Sequence, residues 1–298
     1  MTTSSLKTMR RTALSALLLA FLTSGCDSFL DVNDPPNDPE QASPQLRLPA
    51  LLAGFGHRMY YGEAGLWGAE WTQQFSYNRA TRSYAEVHRY ELQDTDGSSA
   101  WNFYFAQVMQ EANNIVKETD PMTDGAYHGI AKFILAWSWA HVTDLWGPVP
   151  YREAFDITIR EPKYDDQKTV YDAVHVLFEE AIAAMQRPAS RVPIGNDLLF
   201  AGNMTRWVKL ARTVQARHQL RLAYAPGENA QQRAQKALDA LAGGFTSNAD
   251  DADFAYPGGE AGLRNPLWTF QDRAEFRASE FWVELLRSRS DSLLSTRT

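Results

Sequence analysis

Apolar positions along this chain recur at the three-and-four spacing of one helical face, and seldom in the two-residue alternation of a half-buried strand. The first such pattern, Leu48 to Met59, is short and interrupted by Gly54 and Gly56. In the second, Ser98 or Ser99 is placed to cap a helix whose Trp101, Phe105, Val108, Met109, Ala112, Ile115 and Val116 share a face. A third, from about Thr123 to Leu145, is apolar on most sides, which predicts a central, buried helix. Gly147-Pro148-Val149-Pro150 stops it, and Tyr151 can pack back onto the bundle. Gln167 to Gln186 carries Val170, Tyr171, Val174, Leu177, Phe178, Ala181, Ile182 and Met185 on one stripe, with Pro188 ending it. Met204 to Tyr224, Glu228 to Leu241 and Ser279 to Arg287 complete the series. The expectation is an all-α fold of paired, tetratricopeptide-like helices with irregular loop segments, although no repeat of 34 residues is legible.

The N-terminus follows a different pattern. Residues 1–25 contain no acid, three bases at Lys7, Arg10 and Arg11, an apolar run from Ala13 to Leu22, and then Thr23, Ser24 and Gly25. This reads as a secretory signal. The run is too short for the ~20 residues that a ~30 Å hydrocarbon core demands of a spanning helix. Cys26, the only cysteine, stands where cleavage is expected, and Leu22-Thr23-Ser24-Gly25-Cys26 resembles the bacterial lipobox, which implies that Cys26 becomes lipid-modified. From Asp27 to Pro49 the chain is rich in Asp, Asn and Pro and reads as a tether. The expected organisation is thus a signal over 1–25, a tether over 26–49 and a helical domain over 50–298.

Removing the signal leaves 26 Lys and Arg against 36 Asp and Glu, so the formal charge moves from −7 to −10. An acidic body of this kind does not attract phosphate backbones, which argues against nucleic acid as a partner.

Three segments together resemble one family. Cys26-Asp27-Ser28-Phe29-Leu30-Asp31-Val32-Asn33 is similar to the mature N-terminus of SusD/RagB-type outer-membrane lipoproteins. Ala131 to Trp139, leading to Asp144-Leu145-Trp146-Gly147-Pro148-Val149-Pro150-Tyr151, resembles that family's central helix and its exit, and Trp207 to Leu222 resembles its later Arg-rich helix. The resemblance implies a lipid-anchored, surface-exposed outer-membrane protein that captures oligosaccharides or peptides and sits on a SusC-type TonB-dependent transporter. It implies no cofactor and no enzymatic activity. Family members are considerably longer, and Asp291-Ser292-Leu293-Leu294 sits where they often have Asp-Pro-Arg-Leu, so the expectation is a truncated or frameshifted gene product.

Sugar rings stack their C–H faces on aromatic side chains, and their hydroxyls need polar groups nearby. The stretch Trp67 to Tyr90 supplies both and reads as an irregular surface region. Its ligand-contact candidates are Tyr77, Asn78, Arg79 and Tyr84, then Trp67 and Trp71, whose spacing also suits a helix burying a face. The six histidines lie far apart in sequence, with no H-E-x-x-H pair, and read as structural. Asp94-Thr95-Asp96-Gly97 reads as a turn before a helix, and Asp250-Asp251-Ala252-Asp253 as an exposed acidic loop in preference to a calcium site. Two rival functions are a periplasm-facing helical scaffold and a surface glycosidase, whose paired carboxylates no sequence motif would reveal.

Overall fold

The computed structural model describes residues 42–58, 63–78, 86–189, 191–259, 264–268 and 276–288. Cys26, the signal and all of the tether up to residue 41 lie outside them. Helix α1 (Pro44–Arg58) starts four residues before the expected Leu48 and runs through both glycines. Residues 44–49, read as the end of the tether, therefore belong to a helix, because Leu48, Leu51 and Leu52 bury into the core. Arg47 ties this helix to Glu111 at 3.2 Å and Glu118 at 3.3 Å.

Helix α2 (Glu63–Trp71) and strand β1 (Phe75–Tyr77) occupy part of the stretch expected to be irregular. The spacing of Trp67 and Trp71 was thus a helical signal in earnest. Next comes one continuous helical rod in three parts: α3 (Ser98–Asn102), a π-helical segment Phe103–Met109 and α4 (Gln110–Glu118). Neither Ser98 nor Ser99 caps it. Gly97 does so in the left-handed conformation (φ 83°), with no side-chain hydrogen bond at the cap. A π turn holds more residues than an α turn, which rotates the buried face. Phe103 and Tyr104 are buried, while Trp101 and Phe105, expected in the core stripe, are partly buried and pack against the edge of the core.

Helix α5 (Gly125–Trp146) is buried on nearly every side, as its apolar surround requires. Helices α6 (Gln167–Met185), α7 (Met204–Arg221) and α8 (Ala230–Leu241) follow, and α5 packs on α6 and α7 on α8 in consecutive pairs. Each of the last three starts at an Asp or Asn whose side chain accepts a backbone N–H of the first turn: Asp166 from Thr169, Asn203 from Arg206 and Asn229 from Gln232. Strand β2 (Phe276–Ala278) pairs antiparallel with β1, setting Tyr77 opposite Phe276, and α9 (Glu280–Ser288) follows it.

The contact of α5 with α6 sets the centre of the core. A methyl group on Gly125 would lie inside van der Waals contact of the Ala184 carbonyl oxygen. One on Gly129 would lie 2.8 Å from the Ala181 oxygen and 3.0 Å from the Met185 nitrogen. These are backbone atoms of α6 and cannot swing away. At the other end, Gly147 (φ 73°) turns the chain out, and the Thr143 hydroxyl donates to its carbonyl at 2.7 Å. Val149 then bridges Asp165, and the Tyr151 ring meets Trp139 edge-on at 4.9 Å, so the exit packs back as its prolines and tyrosine predict.

Three histidines far apart in sequence come together where α5, α6 and α7 meet. His218 is buried, stacked on Phe178 at 5.8 Å, and neither ring nitrogen has a hydrogen-bond partner. His175 meets the Gln219 amide at 3.1 Å, and His141 lies against the Trp137 carbonyl. Among the described residues no group of three or more His, Cys, Asp or Glu is arranged to hold a metal ion. Burial pushes His141 and His175 down to about 4 and His218 to about 3, with neighbouring arginines adding to the effect.

Two predictions follow from this packing. Gly129→Ala should lower stability by ~2–3 kcal/mol, since overpacking against backbone outweighs the better helix propensity of alanine; a thermal melt no lower than that of the parent would contradict the close approach. The histidines bind protons more readily in the unfolded chain than in the folded one. Their stabilising effect is therefore intact above the ordinary value of 6.5 and lost as pH falls from there toward about 4. Melting curves across that window should show Tm falling with pH, and His218→Phe should make the fall shallower.

Candidate functional site

The predicted contact residues divide between two elements. Trp67 and Trp71 stand one turn apart on α2, their ring centroids 6.0 Å apart. Trp71 is fixed by its indole N–H, which donates to the Val87 carbonyl at 2.8 Å. Against its face lies Tyr90, parallel to within 13° and 5.8 Å away, with 66 % of its surface exposed. Tyr90 holds a left-handed backbone (φ 62°), an uncommon state for a non-glycine residue and one that concentrates at binding sites. Of the pair, Tyr90 presents its ring to solvent and Trp71 is partly buried.

Tyr77 and Asn78 leave this surface on strand β1 and just beyond it. Tyr77 packs on Phe276 of β2 at 5.2 Å, and Asn78 is exposed. Ser279, which caps α9 by accepting the Trp282 N–H at 3.0 Å, also donates its hydroxyl to the Gln73 carbonyl. The turn between α2 and β1 is thereby tied to a segment some two hundred residues later in the chain. Arg79 and Tyr84 lie outside the described residues. Tyr90, which bounded the predicted stretch without being named as a contact, and Phe276 are the aromatic partners that sequence reading missed. Only their ring contacts across long sequence separations reveal them.

Beneath the surface, α2 carries polar groups that the fold leaves unpaired. The Glu70 side chain is buried, and neither of its oxygens has a hydrogen-bond partner. Burial pushes its carboxyl up to about 7. The Trp67 indole N–H is likewise buried and without a partner. Trp67 reaches toward Gly97, where an added methyl would sit 3.7 Å from its ring and 3.8 Å from that of Trp146.

Trp146, at the end of α5, carries the aromatic series onward. Trp101 meets it edge-on at 5.2 Å, and Tyr164 lies nearly parallel to Trp101 at 6.4 Å. The rings of Tyr90, Trp71, Trp67, Trp146, Trp101 and Tyr164 thus follow one another across the helix ends.

The acidic segment near residue 250 differs from expectation. Asp250 is buried and not part of an exposed loop. It accepts the Thr246 N–H at 2.8 Å and the Thr246 hydroxyl at 3.0 Å, and it pairs with Lys209 at 2.8 Å. These donors hold its carboxyl well below the usual range, and its role is to close the turn after α8. Asp251 and Asp253 are exposed.

Comparison with known proteins sets this arrangement in a family. Residues 37–295 match the SusD-like family described as starch-binding and associating with the outer membrane. No curated protein sequence matches the chain significantly. Among solved structures, a SusD/RagB family protein from Bacteroides thetaiotaomicron superposes with a TM-score of 0.76 at 22 % identity, covering 84 % of this chain and 53 % of its own. A chitin-binding SusD homolog from Flavobacterium johnsoniae gives 0.72 at 18 % identity, covering 85 % of this chain and 53 % of its own. The chain spans about half the length of these solved relatives. The likeness to them is one of fold, and with the sequence match over most of its length it establishes that the chain belongs to the SusD-like family of outer-membrane-associated, starch-binding proteins.

Proposed function

We propose that this protein is a cell-surface lipoprotein, acylated on Cys26, that binds oligosaccharides and passes them to a SusC-type TonB-dependent transporter. The observation that carries the binding half of this reading is the exposed Tyr90 ring, stacked parallel on the partly buried Trp71, with Tyr77 on the strand that follows and Asn78 just beyond it. Parallel aromatic faces give a sugar ring its apolar contact, and Asn78, Arg79, Tyr77 and Tyr84 supply the hydrogen-bonding groups that orient it. Trp67 supports the pair from beneath. The chitin-binding relative lends weight to a polysaccharide-derived cargo.

Anchoring rests on the signal and the Cys26 motif, because two or more acyl chains on one cysteine suffice for stable membrane attachment. The tether then gives the helical body reach toward a transporter. No catalytic residue and no cofactor belong to this reading: capture needs affinity and release, not bond cleavage.

Alanine at Tyr77, Tyr84 or Tyr90 should each weaken oligosaccharide binding by about tenfold, the loss of one stacking or hydrogen-bonding contact. Tyr90 is the cleanest of the three, because its exposed ring contributes little to the core. Calorimetric titration of the full chain with starch- and chitin-derived oligomers checks this. Unchanged affinity in all three variants would remove the site. Co-purification of an outer-membrane barrel with the full chain tests the partner separately.

A further inference from the structure

A second concave surface lies at the far end of the aromatic series. The π-helical segment Phe103–Met109 forms one wall, and the chain leaving Pro150 and returning at Tyr164 forms the other. Between them is an open cleft of about 650 Å³, within the range of small-molecule binding sites. Two features mark it as more than a surface irregularity. π-helical turns are frequent at functional sites, and this one turns Phe105 into the cleft wall. Phe155, opposite, holds a left-handed backbone (φ 63°) while packing on Phe105 at 6.4 Å.

The chemistry of the lining points to one kind of ligand. Trp101 and Tyr164 lie parallel to within 16°; Phe105 stacks on the partly buried Trp101 at 4.3 Å, and Tyr164 is 62 % exposed. Three carboxylates, Glu153, Asp156 and Glu161, line the same cleft, and among the described residues no lysine, arginine or histidine does. Among the described residues Glu161 has no hydrogen-bond or ion-pair partner, and its side chain is exposed. Glu153 accepts the Lys163 N–H at 2.7 Å, and Asp156 accepts from Thr158 through one oxygen, so each keeps acceptor capacity. The Lys163 ammonium stands 4.0 Å from Glu153 on a side chain that is 87 % exposed, and Arg152 and Lys117 act electrostatically on Glu153 and Asp156 without lining the cleft.

We infer that this cleft is a distinct binding surface for an oligosaccharide bearing free amino groups, its pyranose faces on Trp101 and Tyr164 and its ammonium groups on Glu161 and its neighbours. The inference rests on the oligosaccharide reading above and adds a second location and a charge class. Carboxylates accept from hydroxyl and ammonium donors alike, but only an ammonium adds a charge-assisted bond, and a uronic acid is repelled. A ring platform shared with the Trp71–Tyr90 surface through Trp146 suits an oligomer better than a peptide, whose side chains call for separate pockets.

Titration calorimetry of the full chain with glucosamine oligomers, their N-acetylated counterparts, neutral glucans and oligogalacturonate provides the test. Glucosamine oligomers should bind about tenfold more tightly than N-acetylated ones, and oligogalacturonate most weakly, with the preference shrinking as salt rises. Tyr164→Ala and Glu161→Gln, both at exposed positions, should each weaken glucosamine binding by about tenfold and about threefold, respectively, with thermal melts unchanged. If binding responds to Tyr90→Ala but to neither cleft variant, the cleft assignment is overturned while the general function stands. Equal affinity for amino and N-acetylated oligomers overturns the charge class. If no oligosaccharide binds the parent chain, the general function fails and this inference with it. A lysine-rich peptide that binds through Tyr164 where glucosamine oligomers do not would make the cleft a protein-docking surface instead.

Discussion

The rest of the structure depends on one close approach, where α5 meets α6 across Gly125 and Gly129. Without side chains at these two positions, the α6 backbone comes near enough that even a methyl group would collide with the carbonyl oxygens of Ala181 and Ala184. That approach draws Phe133, Ile134 and Phe178 into a core with no exposed surface. It also explains why α5 is apolar all round. A helix covered by neighbours on every side cannot carry the polar stripe that marks a surface helix. Its two charged residues both find partners: Lys132 reaches Glu180 of α6 at 3.0 Å, and Asp144 pairs with Arg221 of α7 at 2.9 Å.

The consequence for function lies at the opposite end of α5. Trp139 and Trp146 are held by a helix that cannot shift, and the irregular segments are built onto them. Tyr151 and Phe155 pack on Trp139, Trp101 packs on Trp146, and Trp67 approaches Trp146 across Gly97. The irregular segments are anchored to α5 through these ring contacts. A flat ring surface binds a sugar well only when its rings are already in place, because ordering them on binding would cost affinity. The left-handed backbones of Tyr90 and Phe155, one on each surface, fit the same account: the buried frame holds residues in conformations they would not adopt alone.

Much of the helical frame was legible in the sequence. The stripe of Val170, Val174, Phe178, Ala181 and Met185 on α6 and the continuous apolar run of α5 predict their burial, and the bounds of both helices fall within two residues of those expected. What escaped depended on contacts between distant residues or on backbone states that periodicity does not encode. The π-helical turn is one case, since periodicity does not encode its extra residue per turn, and Trp101 and Phe105 of the predicted stripe pack against the edge of the core, partly buried. The clustering of His141, His175 and His218 is another, because three helices must assemble before these side chains come near enough to act on one another electrostatically. Asp250 looked like one of three exposed acids, and only the approach of Lys209 and the Thr246 amide singles it out for burial. The aromatic character of the proposed binding region was visible from Trp67 to Tyr90, whereas the stacking of Tyr90 on Trp71 joins residues nineteen apart through a fold-dependent turn.

The central claim is that a rigid buried helix holds surface aromatic rings in place for sugar capture. Hydrogen exchange of the full chain with and without a bound oligosaccharide tests it most directly. The account predicts that amides of α5 exchange slowest in the free protein and are unaffected by ligand, while protection appears from Trp71 to Asn78 and around Tyr90. Exchange in α5 as fast as in the outer helix α8, or ligand protection confined to α6 to α8, would contradict it.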